Sequence, residues 1–265
     1  MKHQPKLESS TPNSDQRRID VTLVAGGKYH DIDFARRELL ALLGEHDEFR
    51  VRVQPDYEGF EAITKSSILV SYTCDVRPSI EAQTAIRAWV ESGGRWVALH
   101  GTNSALDLGG PNGVDSPRIF PLWADTLGSQ FVSHPPIHSY RVEVADPTHW
   151  LVADIESFET DDELYLSEYP DRSSLVPLLS TSWTGHATGF VESDWSSCDP
   201  THLVMYLRHL GEGAVLYNTL GHCRGHFDMH PVMDYYPRVE RCSWEKPAYY
   251  ELLRRSLVWA REHLG

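Results

Sequence analysis

Residues 92–106 read S-G-G-R-W-V-A-L-H-G-T-N-S-A-L. Gly93 and Gly94 stop a helix, residues 96–99 form a short apolar strand, and the chain turns sharply at His100-Gly101. An apolar run without polar alternation predicts a strand covered on both faces, as in the parallel sheet of an α/β layer fold. Ligands of such sheets bind in the crevice beyond the carboxyl ends of the strands. An imidazole placed there, beside a glycine that permits close backbone approach, is a candidate functional group. A histidine satisfied by local hydrogen bonds is the competing reading of the position alone.

Upstream, residues 19–25 (I-D-V-T-L-V-A) form a first strand, followed by Gly26-Gly27-Lys28-Tyr29-His30-Asp31. Ile32, Ala35, Leu39, Leu42 and Leu43 recur at helical spacing up to Gly44, giving the strand–turn–helix opening of a βαβ unit. The glycine pair lacks both G-x-G-x-x-G and G-K-[ST], so no nucleotide cofactor is expected. His30 and Asp31 lie at the carboxyl end of this strand, the same predicted edge as His100. Residues 49–53 and 67–72 are further strands. Pro78-Ser79 opens a helix with Ile80, Ala82, Ala85, Ile86, Trp89 and Val90 as its buried stripe. The alternation predicts a doubly wound, mostly parallel sheet.

Downstream, residues 102–117 are rich in Gly, Pro, Asn and Asp and predict a loop long enough to be a lid or substrate wall. A short helix is expected over 120–127. In F-V-S-H-P-P-I-H, His134 and His138 bracket two prolines that fix side-chain angles. Residues 140–145 alternate like a strand. The run F-E-T-D-D-E-L-Y (158–165) places four acids in five positions beside Tyr165. Charge runs are ordinarily solvated faces, but flanking apolar residues favour a ligand or acid/base role here. Residues 174–179 are a further strand. Residues 202–207 and 214–220, joined by Gly211-Glu-Gly213, predict a β-hairpin ending at Gly221-His222. His222, His226 and His230 have the spacing of a helical metal face, but Gly221 and Gly225 oppose that helix. An aromatic, irregular segment over 223–247 leads to a helix from Pro247, with Tyr250, Leu253, Leu257, Ala260 and Leu264 inward.

With 265 residues the chain can bury a substantial core, and residues 19–265 read as one α/β domain behind a disordered polar tail over 1–18. The net charge of −14 excludes a general nucleic-acid or anionic-membrane surface and favours a bound cation. Cys74, Cys198, Cys223 and Cys242 form no C-x-x-C pair and read as free thiols of a reducing cytoplasm. No apolar run reaches membrane-spanning length and residues 1–18 hold no signal-peptide core, so a cytoplasmic protein is expected.

The segments G-G-R-W-V-A-L-H-G, F-V-S-H-P-P, D-P-T-H, D-D-E-L-Y and G-E-G-A-V-L-Y-N-T-L-G-H follow in the order and spacing of ThuA-like proteins. The chain resembles this trehalose-utilisation family over about residues 19–265. The resemblance implies a flavodoxin-like fold, similar to class I glutamine amidotransferases, with a β-hairpin addition. Those amidotransferases carry a nucleophilic cysteine where this chain has His100, so glutaminase activity is not expected. The family's recurring polar positions fall on His30, His100, His134, Glu163, Tyr165 and His222. Several imidazoles and a carboxylate suit a divalent metal such as zinc or manganese, with His100, His134 and His222 as expected ligands. His100, Glu163, Tyr165 and Asp162 are the expected catalytic groups, with Asp161, Asp162 or Glu163 able to act as general base. His30, Asp31, Trp123 and His138 are the expected substrate contacts. A metal-free polar network beneath the loops is the alternative.

The family association implies a carbohydrate substrate: a disaccharide, a glycoside or its keto derivative, handled by metal- or histidine-assisted acid/base chemistry. Hydrolysis, elimination and isomerisation all suit these residues. An ordinary retaining glycosidase needs two carboxylates astride the sugar, which adjacent acids cannot supply. The rival reading is a non-catalytic sugar-binding or regulatory module, although such a module has little use for so many titratable groups at one edge. A nicotinamide-dependent role lacks its glycine fingerprint. Exposed aromatics over 223–250 are compatible with a homodimer.

Overall fold

The computed structural model describes residues 18–110 and 113–262. Of the expected tail only Arg18 falls within them, and Leu264 falls outside. The first part alternates as β1 (Ile19–Gly27), α1 (Ile32–Leu43), β2 (Phe49–Gln54), α2 (Phe60–Ile63), β3 (Ile68–Cys74), α3 (Ile80–Glu91) and β4 (Arg95–Leu99). There follow β5 (Asp107–Gly110), β6 (Gly113–Asp115), α4 (Pro121–Leu127), β7 (Gln130–Ser133), β8 (His138–Val144), β9 (Phe158–Asp162) and β10 (Leu166–Glu168). The chain closes with β11 (Leu175–Ser182), β12 (Thr201–Leu210), β13 (Gly213–Asn218) and α5 (Pro247–Glu262).

Helix starts follow their capping chemistry. The Asp31 carboxylate accepts the Phe34 N–H at 3.0 Å, and the Ser79 hydroxyl oxygen accepts the Ala82 N–H at 3.2 Å. The uninterrupted apolar runs become strands buried along their whole length: every residue of β3 and of β13 is buried.

The main sheet has nine strands in the order β2-β1-β3-β4-β13-β12-β11-β8-β9. The expectation of a mostly parallel sheet is corrected, because the sheet is mixed. The strands from β2 to β13 pair in parallel, and β13-β12-β11-β8-β9 pair antiparallel. The reason is the supply of helices. Parallel neighbours need long crossovers, and between α4 and α5 the described chain has only single 3-10 turns. The hairpin read over 202–220 forms as β12 and β13, but both strands lie inside the main sheet rather than added to it. The expected loop over 102–117 holds a 3-10 turn at its start and a small β5–β6 ladder. Residues 130–133, given no element in the sequence, pair with β10 as β7.

Helices cover both faces of the parallel half. Leu39, Leu42, Leu253 and Leu257 of α1 and α5 pack with Leu23, Val70 and Leu99. Ile86, Trp89, Trp123 and Leu127 of α3 and α4 pack with Leu69, Trp96 and Tyr217 on the other face. At the carboxyl edge the loops are stitched together, with the Lys28 N–H donating to the Cys74 carbonyl at 2.9 Å. A Cβ on Gly101 would stand 2.6 Å from the Thr73 carbonyl oxygen, so only glycine allows the β4 exit to lie this close to β3.

Gly221, just after β13, has φ +109°, and an added Cβ would lie 2.2 Å from the Tyr249 hydroxyl. Gly93 has a comparable φ of +115° but nothing within 4 Å. Gly93→Ala is therefore expected to cost about 1–3 kcal/mol through backbone strain alone. Gly221→Ala is expected to cost clearly more, read as the larger drop in urea midpoint when the two variants are unfolded side by side.

Candidate metal centre

Three loops at the carboxyl edge of the parallel strands and the end of β9 each deliver one side chain to the same point. His30 comes from the β1–α1 loop, His100 from the exit of β4, His222 from the segment after β13, and Glu163 follows β9 directly. All are buried, and one nitrogen or carboxylate oxygen from each lies within 4.8 Å of all the others. His100 sits at φ +46°, a left-handed conformation that turns its ring back over the strand ends.

Hydrogen bonds on the outer side fix which ring nitrogens carry protons. Nδ1 of His30 donates to the Lys28 carbonyl (3.2 Å), and Nδ1 of His100 donates to the Thr219 carbonyl (2.8 Å). Nδ1 of His134 donates to the Pro135 carbonyl (2.8 Å), and Nε2 of His222 donates to the Glu240 carboxylate (3.0 Å). Carbonyl and carboxylate oxygens only accept, so each outer nitrogen must be the protonated one. Neutral rings then keep the lone pair on the inner nitrogen.

Those inner nitrogens converge on Glu163. Its carboxylate lies 3.5 Å from His100 Nε2, 3.7 Å from His30 Nε2, 3.6 Å from His134 Nε2 and 3.1 Å from His222 Nδ1. His30 Nε2 and His100 Nε2 stand 2.8 Å apart with both Nδ1 protons already placed outward. Two lone pairs at that distance repel unless a positive species sits by them. His222 Nδ1 is likewise buried without a hydrogen-bond partner. A donor set of neutral imidazoles and one carboxylate, each held from behind, is what a divalent transition metal requires.

The electrostatics agree. Burial holds His30 down to about 3, against the pull of Glu163, so its ring is neutral across the physiological range. Burial also lowers His134. Burial would raise Glu163, but the imidazoles of His134 and His222 carry it well below the usual carboxylate range. His222 is depressed by burial yet ends raised, because Glu163 and Glu240 flank it on both nitrogens. A positive charge between those carboxylates is favoured, and proton and cation compete for the same lone pair. Arg224, poised at 3.3 Å from Glu163 and 3.1 Å from Glu240, supplies further balancing charge.

The expected site residues separate into distinct groups. His30 stands in the cluster and also borders a small pocket with Lys28, Tyr29 and Asp31. His134 stands beside the four-residue group, its ring partly exposed and its Nε2 facing Glu163. The Tyr165 hydroxyl lies 3.2 Å from His100 Nε2, and burial keeps its phenol proton on, well above the usual range. Asp162 is fully buried and points away from the cluster. Its two oxygens accept the backbone N–H groups of Glu163 (2.8 Å), His222 (3.0 Å), Gly221 (3.0 Å) and Ser243 (3.3 Å), which occupies them against any acid/base role. Asp161 is exposed on the opposite face of β9. Asp31 is absorbed by capping α1 and pairing with Arg241 at 2.9 Å. Trp123 is a core residue: its indole N–H donates to the Thr102 carbonyl, and its ring packs against Tyr57 and Trp96. His138 bonds the Pro136 carbonyl and faces Tyr140, contacting no cluster residue.

Arg224 and Glu240 escaped the sequence reading. Arg224 is two residues from His222 in an extended segment and so shares its side, a period-two signal that the aromatic texture of the region obscured. Glu240 arrives through an isolated bridge to Arg224 that no local pattern announces. Cys74 lies against Gly101, nearer to His100 than sequence distance implied, but burial pushes its thiol up to about 12, far from a nucleophilic thiolate.

The ThuA family model, described as trehalose utilisation, matches residues 20–237. A ThuA-like protein of Parabacteroides merdae superposes with a TM-score of 0.66 at 15% identity, covering 92% of this chain and 90% of its own. A ThuA-like protein of Bacteroides uniformis gives 0.66 at 15% identity, with coverages of 96% and 95%. The β-galactosidase of Rahnella sp. R3 gives 0.51 at 11% identity, with 92% of this chain matching 30% of that one. At these identities the structural likenesses concern the fold alone. A search of curated proteins returns no match. No helix among the described residues is long and apolar enough to cross a membrane. On the family match over most of its length, the chain belongs to the ThuA, or trehalose-utilisation, family.

Proposed function

We propose that this chain is a carbohydrate-processing enzyme whose His30, His100, Glu163 and His222 hold a divalent transition metal of the zinc or manganese class. The observation that carries the reading is the convergence of inner lone pairs on one buried carboxylate while every outer nitrogen is tied to an acceptor. The family's description, trehalose utilisation, supports a carbohydrate substrate.

A metal bound there supplies Lewis-acid polarisation of a carbonyl, or a lowered pKa for coordinated water. The remaining work falls to the chain's own groups. His134 Nε2 is unprotonated, partly exposed and unshared, so it is the group placed to take a proton from an incoming hydroxyl. Tyr165 keeps its proton and serves as a hydrogen-bond donor to a sugar oxygen. Arg224 steadies negative charge that develops beside Glu163. Proton removal from a sugar carbon or hydroxyl is common to isomerisation, elimination and assisted hydrolysis. A retaining two-carboxylate mechanism is disfavoured because Asp162 is consumed by backbone N–H groups.

The test is elemental analysis of protein purified without chelator or affinity histidines, then re-equilibrated with zinc or manganese. Close to one ion per chain is expected in the native protein, falling at least tenfold in His100→Ala and His222→Ala. Native protein that retains no ion under these conditions overturns the metal reading. A separate expectation concerns Asp162→Asn, which turns an amide N–H toward four backbone donors. It should lower the unfolding free energy by at least about 3 kcal/mol in chemical denaturation, the cost of unsatisfied buried groups.

A further inference from the structure

Every residue of the four-residue cluster is at most 5% exposed, so an ion bound there needs a way in. A cavity of about 270 Å³ opens onto it, with His30 in its lining beside Asp31, Asp33, Asp228 and His230. Neither His134 nor Tyr165 borders this cavity, so it is separate from the groups assigned above to substrate. Glu163 faces the two sides with different oxygens, Oε2 toward His30 and Oε1 toward His134. The volume lies below the range of about 300–1,000 Å³ usual for ligand pockets, which leaves little room for a sugar.

The inner end of the cavity calls for a cation. The His30 ring is tied by Nδ1 to the Lys28 carbonyl, and its Nε2 lone pair meets the lone pair of His100 Nε2 and no proton donor. The walls carry the matching charge. Lys28, the cation of the lining, is held by Asp75 at 2.9 Å, and Asp31 is held by Arg241 at 2.9 Å. Asp33 pairs with Arg36, but its side chain is 87% exposed, where such pairs are weak. The half-buried Asp228 accepts the Gly225 N–H and has no cationic partner among the described residues. A Cβ on Gly225 would lie 3.0 Å from Asp228 Oδ2 and 3.4 Å from Asp31 Oδ2, so both carboxylates face one spot, three residues beyond His222. The exposed His230 adds an imidazole. A concavity lined by one sign of charge raises the local concentration of the opposite ion and speeds its capture.

We infer that this cavity is the loading port of the metal centre: Asp33 and Asp228 draw a hydrated divalent cation inward, and His30 is the ligand that takes it first. The inference rests on the metal reading above and adds the route and the groups that set its rate.

The test is the rate at which the full chain, freed of ion, takes up zinc, followed by stopped flow with a fluorescent zinc indicator. Asp33→Asn/Asp228→Asn removes two charges from the port and leaves all four ligands in place. Glu156→Gln/Glu251→Gln removes two charges from a separate groove beside α5. Uptake by the port variant is expected to slow at least about fivefold at about 10 mM salt, and the gap to close to under about twofold at about 0.5 M, where salt screens such charges. The groove variant should stay within about twofold of native, and zinc bound at saturation should be unchanged in both. Asp33→Lys, at an exposed position, should also slow uptake, so the result does not hang on the turn that Asp228 supports. Native rates in both the port double variant and Asp33→Lys overturn the port and leave the metal reading standing. Equal slowing in the groove variant assigns the effect to whole-chain charge and overturns the port as well. A native chain that takes up no zinc removes the metal reading and the port together.

Discussion

The carboxylate of Asp162 is the constraint on which the rest of the site depends. Buried at the end of an edge strand, it gathers four backbone N–H groups from the Glu163 peptide, the Gly221-His222 peptides and the turn at Ser243. Buried polar groups must find partners, and here the four partners come from three separate pieces of the site and its support. The bond pattern ties β9, at the far edge of the antiparallel half, to the exit of β13 in the middle of the sheet. Without such a tie Glu163 and His222 would sit on segments free to drift apart. An acid that the sequence offers as a proton carrier is thus a fastener, and its neighbour one residue later is the one that faces the imidazoles.

A second constraint follows from charge. Glu163 is nearly inaccessible to solvent, and an isolated carboxylate there would cost several kcal/mol. The surrounding imidazoles and Arg224 meet that cost together, which explains why the neighbourhood is so dense in basic groups in a chain of net charge −14. Glu240 then balances Arg224 and holds His222 from behind, and the Tyr236 hydroxyl donates to Glu240 at 2.8 Å. Polar networks of this kind are stable only when every member is satisfied. The member of the cluster left without a hydrogen-bond partner is His222 Nδ1.

Much of this was legible in the sequence. The covered strands, the glycine turns and the histidines at strand ends place His30, His100 and His222 on one edge by topology alone. Glu163 and Tyr165 were legible through an acidic run held between apolar residues. What could not be read is orientation. Asp161, Asp162 and Glu163 are chemically alike in a string. Strand alternation turns Asp161 outward, and only the backbone amides arriving from residues 221, 222 and 243 distinguish the other two. Trp123 and His138 misled for the converse reason, since an indole and an imidazole in a Pro-rich region look alike whether they face a ligand or a core. Beyond the β12–β13 hairpin the antiparallel pairing was missed, because single strands carry no mark of their direction.

The four residues of the cluster are spread over nearly the whole described chain, from His30 to His222. No N-terminal portion that stops short of residue 222 contains the set, and Asp162 has most of its partners only once residues 221–243 have docked. A growing polypeptide therefore cannot assemble the cluster until the segment after β13 has been made. The cluster is thus a late product of synthesis: its four side chains can meet only after the exit of β13 has been made and has folded back against the β1–α1 loop.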